Sequence, residues 1–324
     1  MPVPRLTMKA VQVHAFGGLD AMIYEDVPFP VSGPGQVLVQ VAAAGVGPWD
    51  AWIREGKSVL PQPLPLILGA DLSGVVAAIG AEVTNFNVGD DVFAVTNARF
   101  TGAYSEYTLA DATMIWRKPS RLSDAEAASV PVVASTAWQM LFHHAQIRAG
   151  DLVLVLGGNG NVGGFAVQLA HNAGARVVAT ASADQRGDVR SLGAEEVLGP
   201  DAGSWERIGG KVDAVIDTIG GDAAARSLNV LRPGGILVSA VSEPDGELAR
   251  RHGLRAEFML VAVTSAELVQ LADLIQDGKL RTRVGEILPL SDARVAHEML
   301  AGRKHRPGKV VLVPQIEAAS IMRH

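Results

Sequence analysis

The chain has 324 residues, a length that predicts about two domains at roughly 150 residues each. Hydrophobic residues make up 48% and charged residues 19%, a globular composition that excludes a disordered chain. The net charge of −6 comes without a basic block, which argues against nucleic acid as a partner, and the absence of cysteine excludes disulfides, thiolate nucleophiles and Cys-ligated metals.

The first seven residues read as a loose leader without an apolar run of signal-peptide length, followed by a strand at Met8–His14. QVLVQVAAAGV at 36–46 follows the turn signal GPG at 33–35 and reads as a strand. DLSGVVAAIG (71–80) and DDVFAVT (90–96) are two more, separated by a turn at Asn87–Asp90. AYSEYTLA (103–110) alternates in the half-buried manner of an exposed strand. Many short strands at close spacing predict a barrel-like or sandwich-like β domain.

At Ser123 the pattern changes: Ser123 as N-cap and Glu126 three residues on form a capping box, and a helical stretch is predicted from Thr136 to Gln146. DLVLVLGG (151–158) is a continuous apolar run, as in a buried parallel strand. Val162, Phe165, Ala166, Leu169 and Ala170 then share one helical face. ARVVATAS (175–182) is the next strand, and the helix after it closes at Gly193. EEVLG (195–199), KVDAVIDTIG (211–220) and GGILVSAVS (234–242) are further strands. This βαβαβ order predicts a doubly wound parallel sheet. Beyond Leu260 come a helix (265–276), a strand (284–288), a helix (291–301) and a last strand (308–314); the residues after Gln315 read as a frayed tail. No stretch reaches the roughly 20 uncharged apolar residues that span a bilayer, so a cytoplasmic protein without membrane partners is expected.

GNGNVG at 158–163 matches G-x-G-x-x-G, follows a predicted strand and opens an amphipathic helix, the context of a dinucleotide-binding turn. Gly158 is expected to make the sharp turn, Gly160 to admit a pyrophosphate, and Gly163 to pack the helix on the strand. The amides of Asn159, Asn161 and Val162 lie in the same turn, where a helix N-terminus attracts phosphate. A methyltransferase also carries such a loop, but no acid stands just before this one. The second strand ends Thr180–Ala181–Ser182, where an NAD site usually has an acid. Ser182 can donate to a 2′-phosphate and Arg186, one turn on, can pair with it, so NADP is favoured over NAD, with Asp184 nearby as a complication.

At this point the chain resembles the medium-chain dehydrogenase/reductase superfamily, in its zinc-free quinone oxidoreductase branch. The resemblance is carried by AAGVGPWDAWIREG (43–56), LPLILGADLSGVVAAIG (64–80), ASVPVVASTAWQML (128–141), the glycine turn, VDAVIDTIGG (212–221), LRPGGILV (231–238) and PGKVVL (307–312). It implies an α/β protein: a GroES-like β-rich catalytic domain (1–125 and 265–324) with a Rossmann NADP-binding domain (126–264) inserted and the cofactor in the cleft between them. The metal-ligand positions of zinc-dependent relatives correspond to Gly47 and Ala70, which carry no ligating atom, so no metal is expected. The histidines, His297 among them, are expected at the surface or capping helices.

The same resemblance sets Asp50 near the nicotinamide, Asp71 at the acidic position of the zinc enzymes, Trp52 at a pocket Tyr of some relatives, and Thr136 beside the nicotinamide. Ile219 and Val238 are further expected cofactor contacts. Without a metal, the expected substrates are already electrophilic: quinones and α,β-unsaturated carbonyls. A developing oxyanion needs a donor: a backbone amide, the indole of Trp49 or Trp52, or a cofactor hydroxyl. Trp49, Trp52 and Phe100 are expected to form an aromatic wall for a flat, small-molecule substrate. An enoyl-thioester reductase and a non-catalytic NADP(H)-binding sensor or scaffold are the alternatives. A homodimer is implied through the edge of the parallel sheet near Ile236–Val241.

Overall fold

The computed structural model describes residues 6–205 and 208–315. Most of the expected leader and all of the expected tail after Gln315 lie outside the described residues. The chain divides into two compact units: one runs to Val132 and includes Val263–Gln276 and the chain from Thr282, and the other holds Val133–Ala262 and Asp277–Arg281.

In chain order the first unit begins with strands β1 (Thr7–Val13), β2 (Met22–Pro28) and β3 (Gln36–Val46), then helix α1 (Pro48–Arg54). Strands β4 (Leu66–Ile67), β5 (Asp71–Ile79), β6 (Asp91–Val95), β7 (Tyr107–Asp111) and β8 (Ile115–Arg117) follow, then helix α2 (Asp124–Ala127); helix α3 (Pro131–Trp138) comes next and belongs to the second unit from Val133 on. In the second unit β9 (Leu152–Leu156), α4 (Asn161–Asn172), β10 (Arg176–Thr180), α5 (Arg186–Ser191), β11 (Glu196–Leu198) and α6 (Ala202–Trp205) alternate. They are followed by β12 (Val212–Asp217), α7 (Gly221–Ser227), β13 (Leu231–Ser239), α8 (Gly246–Arg251) and β14 (Arg255–Phe258). The first unit is completed by α9 (Ser265–Gln276), β15 (Val284–Pro289), α10 (Ala293–Leu300) and β16 (Lys309–Val313).

The first unit is β-rich, as expected. Its main sheet runs β15-β16-β3-β5-β6-β8, with β7 also paired to β3, and a smaller sheet runs β2-β1-β4. The long strand β3 reads apolar because it is flanked by β16, β5 and β7. Val37, Val39, Val41, Leu72, Val92, Ile115 and Leu312 meet in one core. Each such side chain contributes about 1.5–3 kcal/mol when taken fully from water. AYSEYTLA behaves differently from its expectation: only Tyr107–Asp111 is strand, while Ala103–Glu106 is a buried run held by a bridge from Ser105 to Ala10. Helix α1 has the signals of a short helix, Gly47 as N-cap and Pro48 at N1.

The second unit is a six-stranded parallel sheet ordered β11-β10-β9-β12-β13-β14. The order reverses between β9 and β12, where ligands of such sheets bind outside the carboxyl ends of the strands. The expected sheet edge at Ile236–Val241 is corrected: β14 pairs with β13 from Ile236↔Arg255 onward, so β14 is the edge. The capping box at Ser123 forms as expected. The helix expected from Thr136 starts earlier, at Pro131, and continues into a π-helical turn at Gln139–His144.

Candidate active site

In the second unit the glycine turn joins β9 to α4. Gly157, with φ +81°, makes the sharp turn expected of Gly158, because only glycine adopts this backbone without strain. Gly158 is instead a packing residue: an added Cβ would stand 2.8 Å from Ala179 Cβ. Gly163 does pack the helix onto the strand, since its Cβ would meet Gly157 O at 2.1 Å. Gly160 is the exposed N-cap of α4, with Asn161 and half-buried Val162 in its first turn. The turn is held from both sides. Gly157 N–H donates to Thr180 Oγ1 (2.9 Å), and Thr218 O–H donates to Leu156 O (2.7 Å). Asn159 Nδ2 donates to Gln185 Oε1.

Ser182 is exposed at the end of β10, ahead of a short 3-10 turn, Ala183–Gln185. Arg186 is half-buried, its Nε is buried without a partner, and its Nη2 faces the bare Cα of Gly199, 3.4 Å from where a Cβ would be. Ile219 is 49% exposed and lies over the turn, its Cγ1 3.0 Å from where a Cβ on Gly157 would be. Val238 is fully buried in β13, so its side chain belongs to the core of the sheet and offers no surface to a ligand. Thr136 is buried in α3.

In the first unit, sequence-distant side chains form a buried charged cluster. Asp50, at the third position of α1, accepts Gly47 N–H (2.8 Å) and Tyr104 O–H (3.0 Å) on Oδ2, while Oδ1 is buried without a partner. Burial pushes this carboxyl up to about 7, against the pull of the Gly47 amide, Lys309 and Tyr104. Burial, then the neighbouring Asp50, drives the Tyr104 phenol well above its ordinary range. Asp71 accepts Val132 N–H (2.8 Å) and the ammonium of Lys309 (3.0 Å). The Lys309 ammonium also lies 4.3 Å over the Trp49 ring. Gly45 makes room for this lysine: a Cβ there would be 3.0 Å from Lys309 Cε.

Trp49 fills the space beside Gly47, where a Cβ would stand 2.2 Å from Trp49 Cζ2. Trp49 and Phe100 pair edge to face at 6.5 Å, while Trp52 is 46% exposed and outside this pair, which corrects the expected three-ring wall. His297 is buried rather than at the surface: Arg54 Nη1 donates to its Nδ1 (2.8 Å), leaving the neutral ring's proton on Nε2. Burial, then the Arg54 charge, lowers this imidazole to about 3. The pair ties α10 to α1, which carries Trp49 and Asp50. Sequence reasoning missed Gly157, Tyr104, Arg54 and Lys309. A second glycine directly before Gly158 and a charge opening the apolar run KVVLV were the available signals for Gly157 and Lys309.

A β-rich unit interrupted by a doubly wound sheet with a glycine turn at its switch point is the architecture of a two-unit dehydrogenase. Residues 33–120 match the family described as "Alcohol dehydrogenase GroES-like domain", and residues 192–312 match "Zinc-binding dehydrogenase". A quinone oxidoreductase from Sus scrofa is 32% identical, over 94% of this chain and 98% of that protein. The Arabidopsis thaliana NADPH-dependent alkenal/one oxidoreductase, chloroplastic, is also 32% identical, over 95% of this chain and 80% of that one. The solved structure of the quinone oxidoreductase from Coxiella burnetii superposes with a TM-score of 0.86 at 34% identity, covering 95% and 99% of the two chains. The chain belongs to the medium-chain dehydrogenase/reductase superfamily, in its zinc-free quinone oxidoreductase branch. It is therefore an oxidoreductase that works with a nicotinamide dinucleotide. Among the described residues no helix is long and apolar enough to cross a membrane, and no three His, Cys, Asp or Glu side chains converge as a metal would need.

Proposed function

We propose that this protein transfers hydride from NADPH to quinones or α,β-unsaturated carbonyls without a metal ion. The observation that carries the reading is at residues 47–49: the family's ligand position is Gly47, and the Trp49 indole fills the space beside it. With no ligating side chain there, a plain alcohol or ketone lacks the Lewis acid it needs. Quinones and enones are electrophilic enough without one, and the pig and Arabidopsis relatives are named for such substrates.

The residues of the second unit fit a dinucleotide. The exposed amides at the start of α4 suit a pyrophosphate, and any side chain at Gly163 would break the turn that presents them. Bound there, the nicotinamide supplies the hydride. Ser182 and the unpartnered Arg186 suit a 2′-phosphate. In the first unit Trp49 and Phe100 present a packed aromatic pair to a planar substrate, with Lys309 fixing the indole. Asp50 holds a proton near neutral pH, on the Oδ1 that no donor occupies. Asp71 serves this arrangement indirectly, by holding Lys309.

NADPH consumption across quinones, alkenals and saturated ketones tests the reading. Turnover is expected with the first two classes, not the third, and unchanged by a chelator. No turnover with any quinone or enone, or an alcohol activity that the chelator abolishes, would remove it. The 2′-phosphate assignment has its own test. Losing a charge-assisted pair costs about 1.5–3 kcal/mol, so Arg186→Ala should weaken NADPH by roughly 10–100-fold and leave NADH binding nearly unchanged. Equal losses for both nucleotides would remove Arg186 from the site.

A further inference from the structure

We propose that the Asp217 carboxylate is the electrostatic partner of the nicotinamide ring, favouring its cationic, oxidised form; this rests on the nucleotide reading above. Asp217 is the last residue of β12 and has no exposed surface. Its Oδ1 accepts the amides of Ile219 (3.0 Å) and Gly220 (2.9 Å), and its Oδ2 accepts the Ser239 hydroxyl (2.7 Å). Ser239 Oγ in turn accepts the amides of Val241 (3.2 Å) and Ser242 (3.3 Å). Neutral donors therefore satisfy the carboxylate, and among the described residues no Lys, Arg or His lies within ion-pair distance of it. A buried charge without a counter-ion is costly, and such groups ordinarily stand paired. Its partner is to be sought in what binds beside it.

The position of Asp217 identifies that partner. It is in register with Leu156, the last residue of β9, across the point where the strand order reverses. The residue after Leu156 is Gly157, which opens the glycine turn. Ser182 and Arg186, at the end of β10, take the adenosine side of the dinucleotide in this reading, and α4 takes the pyrophosphate. The nicotinamide half is left with the ends of β12 and β13. There Ile219 and Val241, 49% and 37% exposed, form an apolar rim on the two loops that Asp217 and Ser239 tie down. A nicotinamide held there would be neutral when reduced and would carry one positive charge when oxidised. The Asp217 carboxylate anchors the loop that carries Ile219, in a medium where charges are weakly screened. The same carboxylate disfavours the neutral, reduced ring relative to the oxidised one.

A purely structural role for Asp217, as the knot between two loops, makes a different prediction. Asparagine keeps an oxygen for both amides but removes the charge. Equilibrium binding of NADP+ and NADPH, read by calorimetry, separates the two. Asp217→Asn should weaken NADP+ about tenfold and NADPH less than twofold, whereas Ser239→Ala, which keeps the carboxylate, should leave their ratio unchanged. Equal weakening of both nucleotides by Asp217→Asn would overturn the proposal. Should that variant not fold, Asp217→Ser, with room for a bridging water, carries the same test. Failure of the wild-type chain to bind either nucleotide would overturn the nucleotide reading as well, whereas an unmoved ratio in a chain that binds both would overturn only the role of the charge.

Discussion

Lys309→Met is expected to destabilise the β-rich unit by about 3–5 kcal/mol, the cost of stranding one member of a buried ion pair. Lys309 and Asp71 are 1% and 0% exposed. Methionine matches the stem of lysine but leaves the Asp71 carboxylate in the core without its cation, and it removes the charge from above the Trp49 ring. Asp71 retains only the Val132 amide as a donor. A lowered urea midpoint, read by a probe confined to the first unit, checks the result. Adding Asp71→Asn to Lys309→Met should recover much of the loss, because the pair is then removed together. A single variant as stable as the wild type would show that the ammonium does not hold this core.

Asp50 should make the fold less stable as pH rises through neutrality. Its folded-state value, about 7, stands above its ordinary 3.8, so the folded chain binds the proton more tightly than the unfolded chain. The stabilising contribution is therefore complete below about pH 4 and is lost as pH climbs toward 7. At about 1.36 kcal/mol per pH unit the gap amounts to about 4 kcal/mol. Burial is the main cause, and the charges facing Asp50 are Lys309 from β16 and Asp71 from β5, with the Tyr104 hydroxyl as donor. Asp71 is pushed up by burial in the same direction, so it adds to the slope. Asp50→Asn should remove the Asp50 share. Unfolding midpoints at pH 5 and pH 8 should fall markedly in the wild type and less in the variant. Equal falls in both would show that Asp50 is ionised throughout.

Much of the architecture was legible because it follows from short-range spacing. The capping box at Ser123, the apolar run before the glycine turn and the face through Phe165, Ala166, Leu169 and Ala170 each depend on neighbours within a few residues. Where tertiary context intervened, the reading shifted. Gly157 took the turn expected of Gly158, since the positive φ falls one residue earlier in a run of glycines. Tyr104 was hidden in an alternating segment and proved wholly buried, threaded past Gly69, where a Cβ would meet its ring at 2.2 Å. His297 looked like a surface helix residue and became the partner of Arg54.

By itself the sequence determined the two kinds of unit, the strand alternation, the nucleotide turn and the lack of a ligating atom at residues 47 and 70, because these are properties of residue type and local spacing. Only the tertiary structure decided which charges meet. Lys309 reaches Asp71 across 238 positions, Arg54 reaches His297 across 243, and Tyr104 reaches Asp50 across 54. The physical reason is that a buried charge must find its partner in whatever strand or helix packs against it, and that pairing is set by sheet register and burial, which no local pattern of residues encodes.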